Sequence, residues 1–266
     1  MSPELDLFLE HPAEYTATPE PVVLETAPAT FLAIDGRGEP GAAVFHEKLD
    51  ALLRVAGAIR NARRRLGPPY ALPGIEALWW CAVTGADFWQ QPPASWRWRL
   101  LNRLPADATA NDLNDAVRRL QRRERSAALG AVALATLHEG LCVQVLHTGS
   151  FAAERETLDR LRGFAAKHGF ACGDTLHEIH RIHPRRVEAD RRRVILRLTL
   201  SPCGPGPATG RSPALAPRRR RKAWTSLSRA PVPRLSPSPG TARSPHHGAR
   251  PVSAAPPLYG TCILPR

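Results

Sequence analysis

The residues with the most chemistry to offer lie in two short stretches. In Leu176-His177-Glu178-Ile179-His180 a carboxylate and an imidazole stand two apart, so on a strand Glu178 and His180 share a face and polarise each other. In Glu76-Ala77-Leu78-Trp79-Trp80 a carboxylate precedes two indoles. Strand alternation puts Glu76, Leu78 and Trp80 on one face and Trp79 on the other, so one indole lines a site and the other a core. Indole faces attract cations through the ring quadrupole, and a carboxylate in an apolar wall grips a cationic ligand harder than it could in water. Such a set serves two chemistries. It can bind a lipophilic cation, or a carboxylate, Glu178 or Glu76, can act as general base on water while the other carboxyl or His180 acts as general acid. Neither a metal nor a cofactor is expected. His177, His180 and His183 recur every third residue, which on a strand throws His180 to the face opposite the other two, and no H-E-x-x-H occurs. His138 and Glu139 read as turn residues before a strand, and Arg118, Arg119, Arg122 and Arg123 as a solvated face.

The elements that must position these residues follow from periodicity. PVVLETAPATFLAIDG reads as a strand with a short break, closed by a turn at Gly36, Gly38 and Pro40. Phe45, Leu49, Leu52, Leu53 and Ala56 recur at helical spacing and stop before Gly67-Pro68-Pro69. Two strands follow, LPGIEALWWCAV and SWRWRLLNRL, the second alternating Trp96, Trp98 and Leu100 with Arg97, Arg99 and Leu101. An amphipathic connector between Asp112 and Arg125 precedes a return of the same order: VALATLHEGLCVQVLHTG, a helix on Leu158, Leu161, Phe164 and Ala165, then TLHEIHRI and RVILRLTL. The expected fold class is α+β, a duplicated strand-helix-strand-strand unit with repeats at about 21–105 and 130–200 and a connector helix at about 110–125. Its antiparallel sheet carries two long helices on one face, with a crevice between them of the kind small ligands use.

Charge divides the chain again. Of its 266 residues, 37 are Lys or Arg and 24 are Asp or Glu. Residues 201–266 hold eleven of the bases and no acid, so residues 1–200 carry only +2 of the net +13. A near-neutral body argues against a nucleic-acid-binding surface there, and no helix-turn-helix pattern precedes it. Residues 1–20 are acidic and aperiodic, a mobile lead-in. Residues 201–266 are Pro/Arg-rich and expected to be disordered. They serve as a nucleic-acid arm of non-specific kind, as a Pro-rich ligand, or, as their GC-rich codon usage suggests, are an out-of-frame reading that replaced a native end near Leu200. Five scattered cysteines without C-x-x-C spacing fit reduced thiols in a cytoplasmic protein. No apolar run is long enough for a membrane span.

The segments FLAIDGRGEPG, GIEALWW, LHEGLCVQVLHTGSF and LHEIHRIHPRR, in this order and separation, together resemble the free-standing GyrI-like small-molecule-binding proteins. The resemblance covers about residues 20–200. It implies the tandem fold, an aromatic and acidic crevice between the repeats, and binding of lipophilic, often cationic, compounds. Some relatives are ligand sensors in transcription regulators. Others hydrolyse the cyclopropane ring of DNA-alkylating natural products, so a ring-opening hydrolase is the alternative activity it implies. Glu76, Trp79 and Trp80 match the Glu-x-x-Trp-Trp pattern and Glu178 the acid of the His-Glu-Ile strand. With His180 and Phe151 these are the expected ligand contacts, and Glu178, Glu76 and His180 the catalytic set of a hydrolase. His180 and Phe151 stand where relatives usually carry Tyr, and Arg181, Ile182 and His183 replace a Leu-Ser-Asp stretch. Two missing phenols weigh against the hydrolase more than against binding.

Overall fold

The structure is a computed structural model in which residues 5–65, 70–82, 87–124, 126–181, 188 and 191–203 are described. The strands are β1 (Val22–Glu25), β2 (Ala29–Arg37), β3 (Glu76–Trp80), β4 (Arg97–Arg103), β5 (Ala133–Leu137), β6 (Leu141–Thr148), β7 (Phe170–Cys172), β8 (Leu176–Ile179) and β9 (Arg193–Pro202). The helices are α1 (Leu7–Glu10), α2 (Pro12–Tyr15), α3 (Ala43–Arg63), α4 (Ala110–Gln121), α5 (Ala127–Gly130) and α6 (Glu154–Lys167). The protein is α+β, and one strand-helix-strand-strand unit occurs twice, as β2-α3-β3-β4 and β6-α6-β8-β9. Helix α3 turns Leu49, Leu52, Val55, Ala56 and Ile59 inward, and α6 does so with Leu158, Leu161 and Ala165. That three-and-four spacing is what lays each helix on a sheet. Helix α4 starts at a capping box, Thr109 and Asp112 each serving the other's backbone N–H.

The sheet runs β1-β6-β9-β8-β3-β4-β2-β5, with β7 beside β9, and every pair is antiparallel. The repeats meet at β3 and β8, where Ala77 lies opposite Glu178 and Leu78 opposite His177. One face, under α3 and α6, carries Leu32, Ile34, Ala77, Trp79, Trp98, Leu100, Val143, Leu176 and Leu196 in a single core. Across the β2–β4 pair, Trp98 covers Gly36, and a Cβ there would come within 2.1 Å of the indole. The glycine read from sequence as a turn residue is therefore a strand residue beneath a ring.

The stretch read as one broken strand is two strands with different partners. β1 pairs with β6 and β2 with β4 and β5, six places apart in the sheet order. At about 4.8 Å per strand a flat sheet would separate them by roughly 29 Å, whereas the link from Glu25 to Ala29 reaches at most about 15 Å. The sheet must curl until its edges approach. Thr26 N–H donates to the Gly140 carbonyl at 2.9 Å, joining the β1–β2 link to the β5–β6 turn.

The lead-in also departs from expectation. Leu7, Phe8 and Tyr15 are buried, and Phe8 stacks on Tyr15 at 4.1 Å above Ile179 and Ile195, on the face without α3 and α6. Asp6 caps α1, Pro12 opens α2, and helices of four residues are too short to show a period in sequence. The folded unit also passes the expected limit at residue 200: β9 reaches Pro202, and Cys203 N–H donates to Gly169. The tail from 204 onward lies outside the described residues. Among the described residues no helix is long and apolar enough to cross a membrane.

Candidate functional site

Alternation along β3 and β8 sorts the expected site residues onto two faces. Trp79 and Glu178 point to the side of α3 and α6, where Phe151 and His180 join them. Glu76 points to the other side, with His177. Trp80, half-buried, shares the Glu76 face by alternation. The structure thus does not bring Glu76 or Trp80 together with Glu178 and His180. The indole on the Glu178 side is Trp79, and the grouping of Glu76 and Glu178 as one acid–base pair is corrected by the sheet between them.

On the helix side, the groove between α3 and α6 is occupied by rings. Phe45 from the first turn of α3 stacks on Trp79 at 5.9 Å, and Phe151, just before α6, approaches Trp79 at 6.3 Å. The segment from Asp87 to Trp96 adds Phe88, Trp89 and Trp96, with Trp89 on Phe151 at 4.5 Å. Asp87 fixes this segment by accepting from Trp89 N–H at 3.1 Å and pairing with Arg162 at 3.2 Å.

Next to the rings lies a buried polar cluster that sequence reasoning found only in part. His180 Nε2 meets Glu178 Oε2 at 3.1 Å, Arg192 donates to Glu154 Oε1, and the Arg192 guanidinium lies 5.8 Å from the Phe151 centroid. Glu154, the first residue of α6, has no exposure at all. Burial pushes its carboxyl well above the ordinary range, the neighbouring Glu178 charge pushes it further, and Arg192 does not reverse this. Glu178 is equally buried, which opposes its charge, but the hydrogen bond and charge of His180, aided by Arg192, hold it below the ordinary range. The two carboxyls are thus pushed apart, Glu154 toward keeping its proton and Glu178 toward losing it, and Glu154 Oε2 and Glu178 Oε1 are both buried without a hydrogen-bond partner among the described residues. Trp79 Nε1, Trp89 Nε1 and His180 Nδ1 are buried and have no hydrogen-bond partner among the described residues.

Local sequence explains how this cluster is held. His147, buried at the end of β6, bonds Thr157 Oγ1 at 2.9 Å and the Ser150 carbonyl at 3.2 Å, and burial keeps its pKa down. The neutral ring pins the turn that presents Phe151 and Glu154. Gly74 passes so close to the His180 carbonyl that a Cβ would lie 1.7 Å from the oxygen, and Ile75 O accepts from His180 N–H. No side chain other than glycine fits there.

The opposite face holds a second network. Tyr15 OH donates to Glu76 Oε1 at 2.8 Å, and His177 bridges Glu76 at 2.9 Å and Glu139 at 3.0 Å. Arg197 donates to Glu139 at 2.9 Å and to Gln144, and Arg103 to Tyr15 OH at 2.8 Å and Glu14 at 2.9 Å. Burial alone would lower His177, yet Glu139 and Glu76 outweigh it and raise its pKa to about 9. Burial likewise opposes the charge on Glu139, but His177 and Arg197 pull its pKa down to about 2. The two acids, doubly hydrogen-bonded to a cationic imidazole, enclose a cavity of about 10 Å³ that suits a single water. Glu139, expected to be a turn residue, is a buried member of this network. His183 and the Pro-Arg-Arg of the motif lie outside the described residues.

The chain matches no protein-family model and no curated protein. Among solved structures it superposes on an uncharacterized conserved protein from Listeria innocua with TM-score 0.68 and 25% identity, over 74% of this chain and 100% of the other. A hydrolase from Listeria innocua aligns at TM-score 0.67 and 23% identity over 75% and 100%. A further hydrolase from that organism aligns at TM-score 0.65 and 22% identity over 74% and 100%. These likenesses establish a shared tandem α+β fold.

Proposed function

We propose that the protein is a GyrI-like binder of lipophilic, often cationic, small molecules, and that the ligand enters between α3 and α6 at Trp79, Trp89, Phe151, Glu178 and His180. The observation that carries this reading is the set of buried indole N–H groups and the His180 nitrogen left without partners among the described residues, beside a carboxylate held toward ionisation and aromatic walls. Such groups are costly in a finished core and useful in a site that trades them for ligand contacts. Entry requires Trp89, the more exposed of the rings on Phe151, to move aside. Quenching of indole fluorescence by a lipophilic cationic dye tests it. Phe151→Ala and Glu178→Gln weaken dye binding, while Trp80→Ala, on the far face, leaves it unchanged. Equal affinity in the first two variants defeats the proposal.

A hydrolytic reading rests on a different observation, the unequal proton affinity of Glu154 and Glu178, the arrangement that separates an acid from a base. It is also the activity that the names of two Listeria innocua neighbours suggest. In an activated cyclopropyl ketone, Glu178 would take a proton from water as its oxygen bonds to the ring carbon. The broken C–C bond's electron pair would flow to the conjugated carbonyl, whose oxygen takes the Glu154 proton. Mass spectrometry of protein with excess substrate decides: a ring-opened product carrying the elements of water supports turnover, and unchanged substrate removes it.

A further inference from the structure

One carboxylate ties the aromatic cover of the groove to the second long helix. Asp87 Oδ1 accepts from Trp89 N–H at 3.1 Å, and Asp87 Oδ2 accepts from Arg162 of α6 at 3.2 Å. Both of its oxygens are thus used, one to set the short turn Phe88–Gln90 and the other to fasten that turn to α6. Phe88 and Trp96 anchor the segment in the core at 1% and 5% exposure, and Trp96 O accepts from Gly38 N–H at 2.8 Å. Trp89, between them, is half-buried. Its indole lies on Phe151 at 4.5 Å, yet its Nε1 has no partner among the described residues. Water would satisfy that donor if the ring left Phe151, which offsets part of the lost ring contact. An unsatisfied, half-buried ring between two anchored ones is a leaf that can turn while its frame stays. The pair that holds it is partly open to solvent, with Asp87 17% and Arg162 32% exposed, so salt screens it. Arg162 also faces Asp159 at 3.7 Å, a second acid that competes for it.

We infer that Asp87 and Arg162 are the latch of an aromatic gate, with Trp89 as its moving leaf, and that this latch sets how fast a ligand enters and leaves the groove. The inference rests on the groove reading for its ligand; the latch itself does not. With Arg162 engaged, Asp87 is held where it can accept from the Trp89 amide, and the indole stays over Phe151. With Arg162 released, the carboxylate turns to water, the amide loses its acceptor and the turn loosens. Arg162 touches no ligand in this scheme and acts only through Asp87, as a positioning residue. The leaf closes again over whatever has entered, so entry and exit quicken together and affinity changes little.

Acrylamide, an uncharged quencher of indole fluorescence, tests the latch without any groove ligand. Subtracting the quenching of Trp89→Phe from that of the wild type gives the share of Trp89. Arg162→Gln raises that share about threefold, in the range of a partly exposed ion pair. Sodium chloride at about 0.5 M does the same to the wild type and adds nothing to Arg162→Gln, whereas an Arg162 that only stabilised α6 would leave wild-type quenching indifferent to salt. Asp159→Asn removes the competitor and lowers the share. Stopped-flow mixing with Nile red, a neutral lipophilic dye, tests the consequence: Arg162→Gln speeds association and dissociation by about threefold each and leaves Kd within about twofold. Trp89 quenching that is equal in wild type, in Arg162→Gln and at high salt overturns the latch, as does a Nile red association rate that Arg162→Gln leaves unchanged. Raised quenching with no Nile red bound supports the latch and counts against the groove reading alone. If Arg162→Gln does not fold, the salt dependence of the wild type carries the same test.

Discussion

The two faces of the β3–β8 pair hold similar side chains to opposite ends. His177 and Glu178 are consecutive on β8, so one points to Glu76 on one side of the sheet and the other to His180 on the opposite side. On the face without α3 and α6 none of Tyr15, Glu76, Glu139, His177, Arg103 and Arg197 is left without a partner, and the N-terminal turns cover the network. On the helix side, indole N–H groups and a ring nitrogen stay unpartnered among the described residues, and the two buried carboxyls of Glu154 and Glu178 are pushed to opposite proton affinities. A satisfied network fixes a fold; an unfinished one is poised for something else to complete it. The face without α3 and α6 is the clamp that sets the register of β8, and the helix side is where the proposed ligand would gain contacts.

The contrast can be broken most forcefully at His177. His177→Leu leaves Glu76 and Glu139 facing each other in the interior and costs about 3–5 kcal/mol in urea unfolding. A loss under about 1 kcal/mol would mean that the clamp is not the stabilising face. Next in size is Tyr15→Phe, which takes one hydrogen bond each from Glu76 and Arg103 while His177 and Glu14 still hold them, and costs about 1–3 kcal/mol by the same measurement. Glu154→Gln works the other way. The amide keeps an acceptor for Arg192 and offers Glu178 a donor without a proton to lose, so above the ordinary carboxyl range it raises the melting temperature by about 2–4 °C. Smallest is Trp89→Phe, which deletes a donor that had no partner among the described residues and changes stability by about 0.5 kcal/mol or less.

Titration sharpens the same contrast. His177 is raised from 6.5 to about 9, so its contribution is complete below 6.5 and is lost as pH rises through about 9. Glu139 is lowered from 4.5 to about 2, so its contribution is complete above 4.5 and is lost as pH falls through about 2. The clamp is therefore strongest between about pH 4.5 and 6.5, and melting temperature should decline from pH 6.5 toward 9 in wild type. The His177→Gln variant should lack that decline; an equal slope in both would assign it to other groups.

Periodicity alone was enough for the tandem unit. The helical stripes on Phe45–Ala56 and Leu158–Ala165 and the alternation of Trp96–Leu101 are local signals that burial later used, although in α3 it added Val55 and Ile59 and left Phe45 and Leu53 only partly buried. It also separated Trp79 from Trp80 and paired Glu178 with His180, since two-residue alternation is a property of any strand. It could not say which face the helices would cover, and so placed Glu76 and Trp80 with the wrong partners. Glu154 carried no signal in the sequence, and Glu139 read as a turn residue. Their burial arises only when α6 closes over β8 and the curled sheet carries the β5–β6 turn to His177. The lead-in was equally silent, because Tyr15 gains its meaning from Glu76 and Arg103, sixty-one and eighty-eight positions away. Local pattern decides what each segment becomes, but proton affinity and ion pairing depend on distances between segments, and tertiary packing alone sets those.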